Sequence, residues 1–200
     1  MINKTAAMVM AFFVSMMGLC TADSWELDLT AGSTYLSGGL HHKTYMDSGY
    51  LKVGGSGIYV DDDDLEYKWA SLDAFVGSDT VRPGLFVDVG LRGFLGRVKE
   101  RGRSGDLGAV GFAVAAGYLF PPEVMPIPLE VFSGVTWAPG PLSFRDTENL
   151  LQFDLGVGLR IIRNASIIAS YTYYHIEMES GSADWSVSDN VLRAGLMLRF

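Results

Sequence analysis

The amino-acid sequence predicts an all-β fold, a transmembrane antiparallel up-and-down β-barrel, on three observations. First, apolar residues recur at every second position along most of the chain, and a strand turns successive side chains to opposite faces. Second, the positions between them hold glycine, alanine and charge, which suits a lumen and not the second face of a soluble sandwich. Third, the last residues read N-V-L-R-A-G-L-M-L-R-F, with Leu192, Ala194, Leu196, Leu198 and Phe200 on one parity and Arg193, Gly195 and Arg199 on the other. An exposed edge strand of this kind invites aggregation in water. It is stable where its apolar face meets lipid and its edge pairs with the first strand to close a cylinder.

The elements follow in order. Residues 25–34 open with Trp25, Leu27, Leu29 and Ala31 on one side. Residues 36–46 have a weak pattern and end at the turn Asp47-Ser48-Gly49. Residues 50–60 place Leu51, Val53 and Tyr59 together, and a four-carboxylate loop, Asp61, Asp62, Asp63 and Asp64, follows. Residues 65–77 carry Ala70, Leu72, Ala74 and Val76 opposite Ser71 and Asp73, then 78–83 make a short connection. From Leu85 onward Val87, Val89, Leu91 and Leu95 alternate with Asp88, Gly90 and Arg92, and 99–106 read as a charged loop. Residues 110–120 alternate again up to a proline-rich turn at Pro121, Pro122, Pro126 and Pro128. Residues 129–137 precede a long loop at 139–149, and 151–161 show the cleanest alternation in the chain. Arg163-Asn164 is a tight turn, 165–178 form a tyrosine-rich strand, 179–189 a polar loop, and 190–200 the last strand.

Nine of these segments are plain, and residues 36–46 supply the tenth, because a single-chain barrel with both ends in the periplasm needs an even number. Ten strands are expected, with eight as the rival. Short connections (78–83, 121–127, 163–164) alternate with longer polar ones (99–106, 139–149, 179–189), as periplasmic turns alternate with outer loops. Aromatic residues near strand ends, Trp25, Tyr59, Tyr67, Trp69, Tyr118, Phe120, Trp137 and Tyr173, read as interfacial girdles.

The inward parity holds Glu26, Asp28, Asp73, Asp88, Glu130 and Asp154 against Lys52, Arg92, Arg160, Arg193 and Arg199. Charges in so narrow a lumen persist only when paired or hydrated. The expectation is an ion-pair network that plugs the barrel, built chiefly on Asp73, Asp88, Arg92, Glu130, Asp154, Arg160, Arg193 and Arg199. Leu196, Leu198 and Phe200 are read as the barrel-closing and insertion signal, recognised by the barrel-assembly machinery.

Other chemistry is sparse. The formal charge of −8 argues against nucleic acid, and Cys20 is the single cysteine. Asp61, Asp62, Asp63 and Asp64 with Glu66 are weak candidates for a hard cation, without the spacing of an EF-hand, and read better as a solvated loop. No cofactor is expected. Lys99, Arg101 and Arg103 suit lipopolysaccharide phosphates. His175-Ile176-Glu177, with Ser180 and Ser182 nearby, offers a His, Ser and acid set for lipid hydrolysis. No nucleophile motif accompanies it and His175 falls on the lipid side, so a non-catalytic interface role is preferred. His41-His42 has no third ligand in sequence. A structural or surface-interaction barrel in contact with outer-membrane lipid is the leading reading, ahead of a narrow channel or small hydrophobic-ligand transporter, with the hydrolase last.

Three stretches resemble the YfaZ family of Gram-negative outer-membrane proteins: F-S-G-V-T-W-A-P-G-P-L-S at 132–143, D-L-G-V-G-L-R-I at 154–161 and I-A-S-Y-T-Y at 168–173. The aromatic strand, glycine-rich strand and tyrosine-rich strand stand in that family's order, and the acidic run at 61–64 has a counterpart there. The resemblance implies a small outer-membrane barrel and brings no catalytic residues. A more general likeness is to the small OmpA- and OmpW-like barrels.

Residues 1–22 read as a signal peptide and 23–200 as the barrel domain. Lys4 supplies the positive start, an apolar run follows up to Leu19, and Cys20-Thr21-Ala22 offers small residues before a cut. The run is too short for a membrane helix. Acylation of Cys20 is disfavoured, because Leu19 stands where a lipobox wants a small residue. Mass spectrometry of the mature protein is expected to find Asp23 at the amino terminus; retention of residue 20 overturns that assignment.

Overall fold

The computed structural model describes residues 23–62, 64–78, 83–180 and 183–200, and the expected leader lies outside them. The strands are β1 (Ser24–Ala31), β2 (Tyr35–Met46), β3 (Gly49–Asp62), β4 (Leu65–Ser78), β5 (Leu85–Glu100), β6 (Arg103–Leu119), β7 (Leu129–Ala138), β8 (Ser143–Arg145), β9 (Thr147–Ile162), β10 (Ala165–Ser180) and β11 (Ala183–Arg199). Every neighbouring pair is antiparallel, and β1 pairs β11 as well as β2, so the sheet closes. Ten strands form the wall. The short β8 stands above β7, pairing the outer part of β6 at Leu107–Ala109 while β7 pairs its lower part. The rival count of eight is excluded, because the weakly patterned residues 36–46 are a full wall strand between β1 and β3.

Closure is carried by the first and last strands. Trp25 N–H donates to the Phe200 carbonyl and Phe200 N–H to that of Trp25, both at 2.9 Å. Glu26 stands opposite Arg199, Leu27 opposite Leu198 and Leu29 opposite Leu196. At Gly195 a Cβ would lie 1.9 Å from the Leu29 carbonyl oxygen, so the seam itself requires glycine.

The parity read from the sequence holds all round the wall. Leu72 (73 % exposed), Leu192 (76 %), Leu36, Val89, Phe112, Leu155 and Ile161 all point outward. On β5 the outward apolar run from Leu85 to Leu95 has the length of about 9–11 residues that a tilted strand needs to cross hydrocarbon. A closed ladder with an apolar exterior satisfies its backbone groups without water, and it is the form in which strands cross a membrane. The protein is an outer-membrane barrel.

Two expectations fail, for one reason. Residues 99–106 are not a loop but the ends of β5 and β6 about a two-residue turn, and among the described residues 179–180 and 183–189 are the outer ends of β10 and β11. Above the apolar band the outward positions become polar (Arg97, Lys99, Asp106, Glu177, Ser186) while the inward ones stay apolar (Val98, Leu107, Ile176, Trp185, Val187). Polar outward residues resemble a loop in sequence, yet the alternation continues beneath them. The hairpin between β5 and β6 turns on Arg101 (φ 47°) and Gly102 (φ 84°), a pair of positive-φ residues that matches strand twist. The expected loop at 139–149 is partly ordered too, as a 3₁₀ turn at Gly140–Leu142, then β8 and the start of β9. Outer length therefore lies in strands and not in long loops.

Leu155 sits near the middle of the apolar band. Leu155→Arg is expected to destabilise the barrel by about 2–4 kcal/mol, whereas Ser186→Arg, beyond the band, costs at most about 1 kcal/mol. Denaturant unfolding from lipid vesicles checks both, and equal costs contradict the assignment of the band.

Candidate functional site: a divided lumen and an outer rim

The lumen has two unlike halves. At the end that carries both termini, acids and bases interleave. Glu26 meets Lys43 at 3.3 Å, Lys52 at 3.2 Å and Arg199 at 3.3 Å. Arg199 also forks onto Glu130 with bonds of 2.9 and 3.0 Å, a bidentate pair that fixes both groups. Asp88 accepts a hydrogen bond from Tyr50 Oη and lies 3.9 Å from Lys52. Further along the axis, Asp73 takes Arg92 Nε at 2.7 Å and His41 Nε2 at 2.8 Å. Asp154 accepts from Arg193 at 2.9 Å, Thr172 at 2.6 Å and Gln152 at 2.6 Å. Arg193 in turn donates to Tyr35 Oη and Ser170 Oγ.

Of the charged lumen residues named from the sequence, Glu26, Lys52, Asp73, Asp88, Arg92, Glu130, Asp154, Arg193 and Arg199 thus stand in ion pairs, and among the described residues Asp28 stands in none. Among the described residues Arg160 has no carboxylate partner within 4.0 Å, although it lines the same space. Lys43 and His41 are additions. They lie on residues 36–46, whose glycines and histidines obscure the alternation that would have placed them inside. Between these groups is a cavity of about 670 Å³ that reaches Gly84, Arg163 and Asn164 at the terminus-bearing end.

The other half is apolar. Every wall strand except β1 contributes to one buried cluster that includes Tyr67, Trp69, Phe94, Leu107, Tyr174, Ile176, Met178 and Trp185. Tyr67 stacks on Trp69 with ring centroids 4.4 Å apart, and Tyr174 meets Trp69 edge-on at 5.1 Å. Tyr67 and Trp69 are therefore not girdle residues. Their odd parity on β4 is that of Ser71 and Asp73, which face inward. A Cβ on Gly96 would sit 2.3 Å from Trp69 Cβ, so the neighbouring strand leaves room for the indole.

The outer features are simpler. Asp61 accepts from Tyr59 Oη at 3.1 Å, Asp64 lies 4.0 Å from Arg101, and Asp63 falls outside the described residues. Among the described residues no three acids or histidines gather as a metal site. Arg97 and Lys99 bond Asp106 and Glu66 across the strands, both at 2.9 Å. His175 faces outward, as expected. Ser182 is outside the described residues, and the hydroxyl the fold brings to His175 is instead that of Ser188, at 2.8 Å. Sequence reasoning missed Ser188 because the pair forms only when β10 and β11 fold back on each other.

Comparison with known proteins finds no matching family model and no matching curated protein. Among solved structures, the chain is similar to the translocator domain of the autotransporter NalP from Neisseria meningitidis, at 16 % identity and a TM-score of 0.45, covering 98 % of this chain and 95 % of that one. It is also similar to outer-membrane expressed OmpT of Vibrio cholerae, at 11 % identity and a TM-score of 0.40, covering 83 % of this chain and 56 % of that one.

Proposed function

We propose that this protein is a structural and surface-interaction barrel of the Gram-negative outer membrane, of the YfaZ type, that passes no solute. The observation that supports this reading most is the apolar cluster in the outer half of the lumen, to which nine of the ten wall strands contribute. A barrel of this strand number has an interior that side chains can fill, and wide aqueous channels need roughly sixteen strands. Where the sequence alone assigns the plug to the ion pairs, we assign it to the apolar cluster above them. Aromatic and aliphatic side chains close the outer half, and the ion pairs line the half below, where they stiffen the wall and hold water. The assembly machinery would read the terminal strand through Leu196, Leu198 and Phe200, and the rim above the apolar band would meet lipopolysaccharide.

A second reading has one observation in its favour. The cavity of about 670 Å³ lies in the size range of small-molecule sites and reaches the periplasmic end, which suits a binder of small ligands there. That reading needs no path across the membrane.

In planar bilayers the purified protein is expected to show no steady conductance, and Trp69→Ala combined with Phe94→Ala to introduce one; a large, steady conductance from the unmodified protein overturns the proposal. For the charged half, Asp73→Ala is expected to cost about 3–5 kcal/mol, because it strands the Arg92 guanidinium. Adding Arg92→Met should recover most of that loss. A cost below about 1 kcal/mol for Asp73→Ala would mean that the ion pairs contribute nothing to the wall.

A further inference from the structure

We propose that the outer rim of the β10–β11 hairpin carries a serine esterase site for lipids, with Ser188 as nucleophile, His175 as base and Glu177 as its positioning residue. The inference does not depend on whether the lumen is sealed, because every group in it points away from the lumen.

The geometry is that of a nucleophile, a base and an orienting acid. His175 and Ser188 are cross-strand partners, and His175 Nδ1 lies 2.8 Å from Ser188 Oγ. On the other side of the ring, Nε2 lies 3.5 Å from Glu177 Oε1, within ion-pair distance once the ring is protonated. With Nδ1 accepting from the hydroxyl, Nε2 carries the ring proton on the side where the carboxylate lies.

The backbone beside Ser188 is unusual for a barrel wall. The β1–β11 ladder ends at Ala31 opposite Ala194, and among the described residues β11 beyond it pairs only with β10. Even-numbered residues of β11 direct their N–H toward that missing neighbour, as Phe200 does toward Trp25 at the seam. The Ser188 N–H thus points along a free edge, where an oxyanion formed on Ser188 can take it. Asn190, the next outward residue, accepts from Tyr171 Oη through its carbonyl oxygen, which leaves its side-chain NH₂ as a second donor.

Position selects the substrate. Outward residues of β11 are apolar from Phe200 to Leu192 and polar from Asn190 onward; on β10 the change falls between Tyr173 and His175. The triad therefore sits just above the tyrosine belt on the outer side, at the depth of acyl ester carbonyls, with water from above and acyl chains below. The substrate class is a carboxylic ester of a membrane lipid.

The reaction balances without a cofactor. Ser188 Oγ bonds to the ester carbonyl carbon as its proton passes to His175 Nδ1. The tetrahedral oxyanion collapses, the bond to the alcohol oxygen breaks, and His175 returns the proton to the leaving lysolipid. Water, deprotonated by His175, then attacks the acyl-Ser188, releasing the fatty acid and restoring the hydroxyl.

The test uses the full mature protein in mixed micelles and in phosphatidylglycerol vesicles. A fluorophosphonate probe is expected to label Ser188, located by mass spectrometry, and the vesicles to yield lysolipid and fatty acid. Ser188→Ala and His175→Ala should each lower turnover at least about 100-fold, and Ser188→Ala should abolish labelling. Ser186→Ala, on the same face, should retain both. Glu177→Gln should lower kcat about tenfold with KM unchanged. Labelling that persists in Ser188→Ala, turnover that survives His175→Ala, or absence of labelling in the folded protein overturns the site. Hydrolysis of a water-soluble short ester in preference to vesicle lipid overturns the lipid assignment.

Discussion

The constraint on which the structure depends is that hydrocarbon offers no partner to a backbone N–H or C=O. Each unsatisfied group costs several kcal/mol there, and an open sheet would leave two edges of them. The reciprocal bonds between Trp25 and Phe200 remove those edges at the membrane-crossing level. The outward leucines and valines then follow from contact with lipid, and the glycines at the seam from how close two strands must come. Above the band, where water can satisfy the backbone, closure is no longer needed. There β11 outruns β1, and its free edge persists.

Once closed, the wall must be filled, and the two halves of the lumen solve this differently. Buried charge is stable only in well-matched groups, and the Glu26, Glu130 and Arg199 cluster supplies matched geometry beside a cavity large enough for water. Toward the outer end the hairpins rise beyond the membrane, and apolar packing between them helps to hold them upright. Tyr67, Trp69, Tyr174 and Trp185 provide it. One inward parity thus carries charge at one end and aromatic rings at the other.

Strand number, seam partners and lipid-facing parity were legible in the sequence, because alternation at a period of two is a strong local signal. It is clear from Leu151 to Ile161 and again from Leu192 to Phe200. Depth along the axis was not legible. The change from lipid to water on the outside reverses the polarity of the outward face without ending the strand, so 99–106 and 179–189 resembled loops. Tyr67 and Trp69 were misplaced because an aromatic near a strand end is as apt for a girdle as for a core, and only their parity with Asp73 distinguishes the two. Pairings across strands, such as His41 with Asp73 or His175 with Ser188, depend on register, which no local pattern carries.

Amide hydrogen exchange at the seam tests the closed cylinder most directly. In lipid micelles the Phe200 and Trp25 amides are expected to exchange as slowly as that of Leu155 in the middle of the wall, since local opening there breaks the barrel. Rapid exchange at Phe200 and Trp25, as at a frayed terminus, with Leu155 still protected, would contradict the closure from which the rest of the architecture follows.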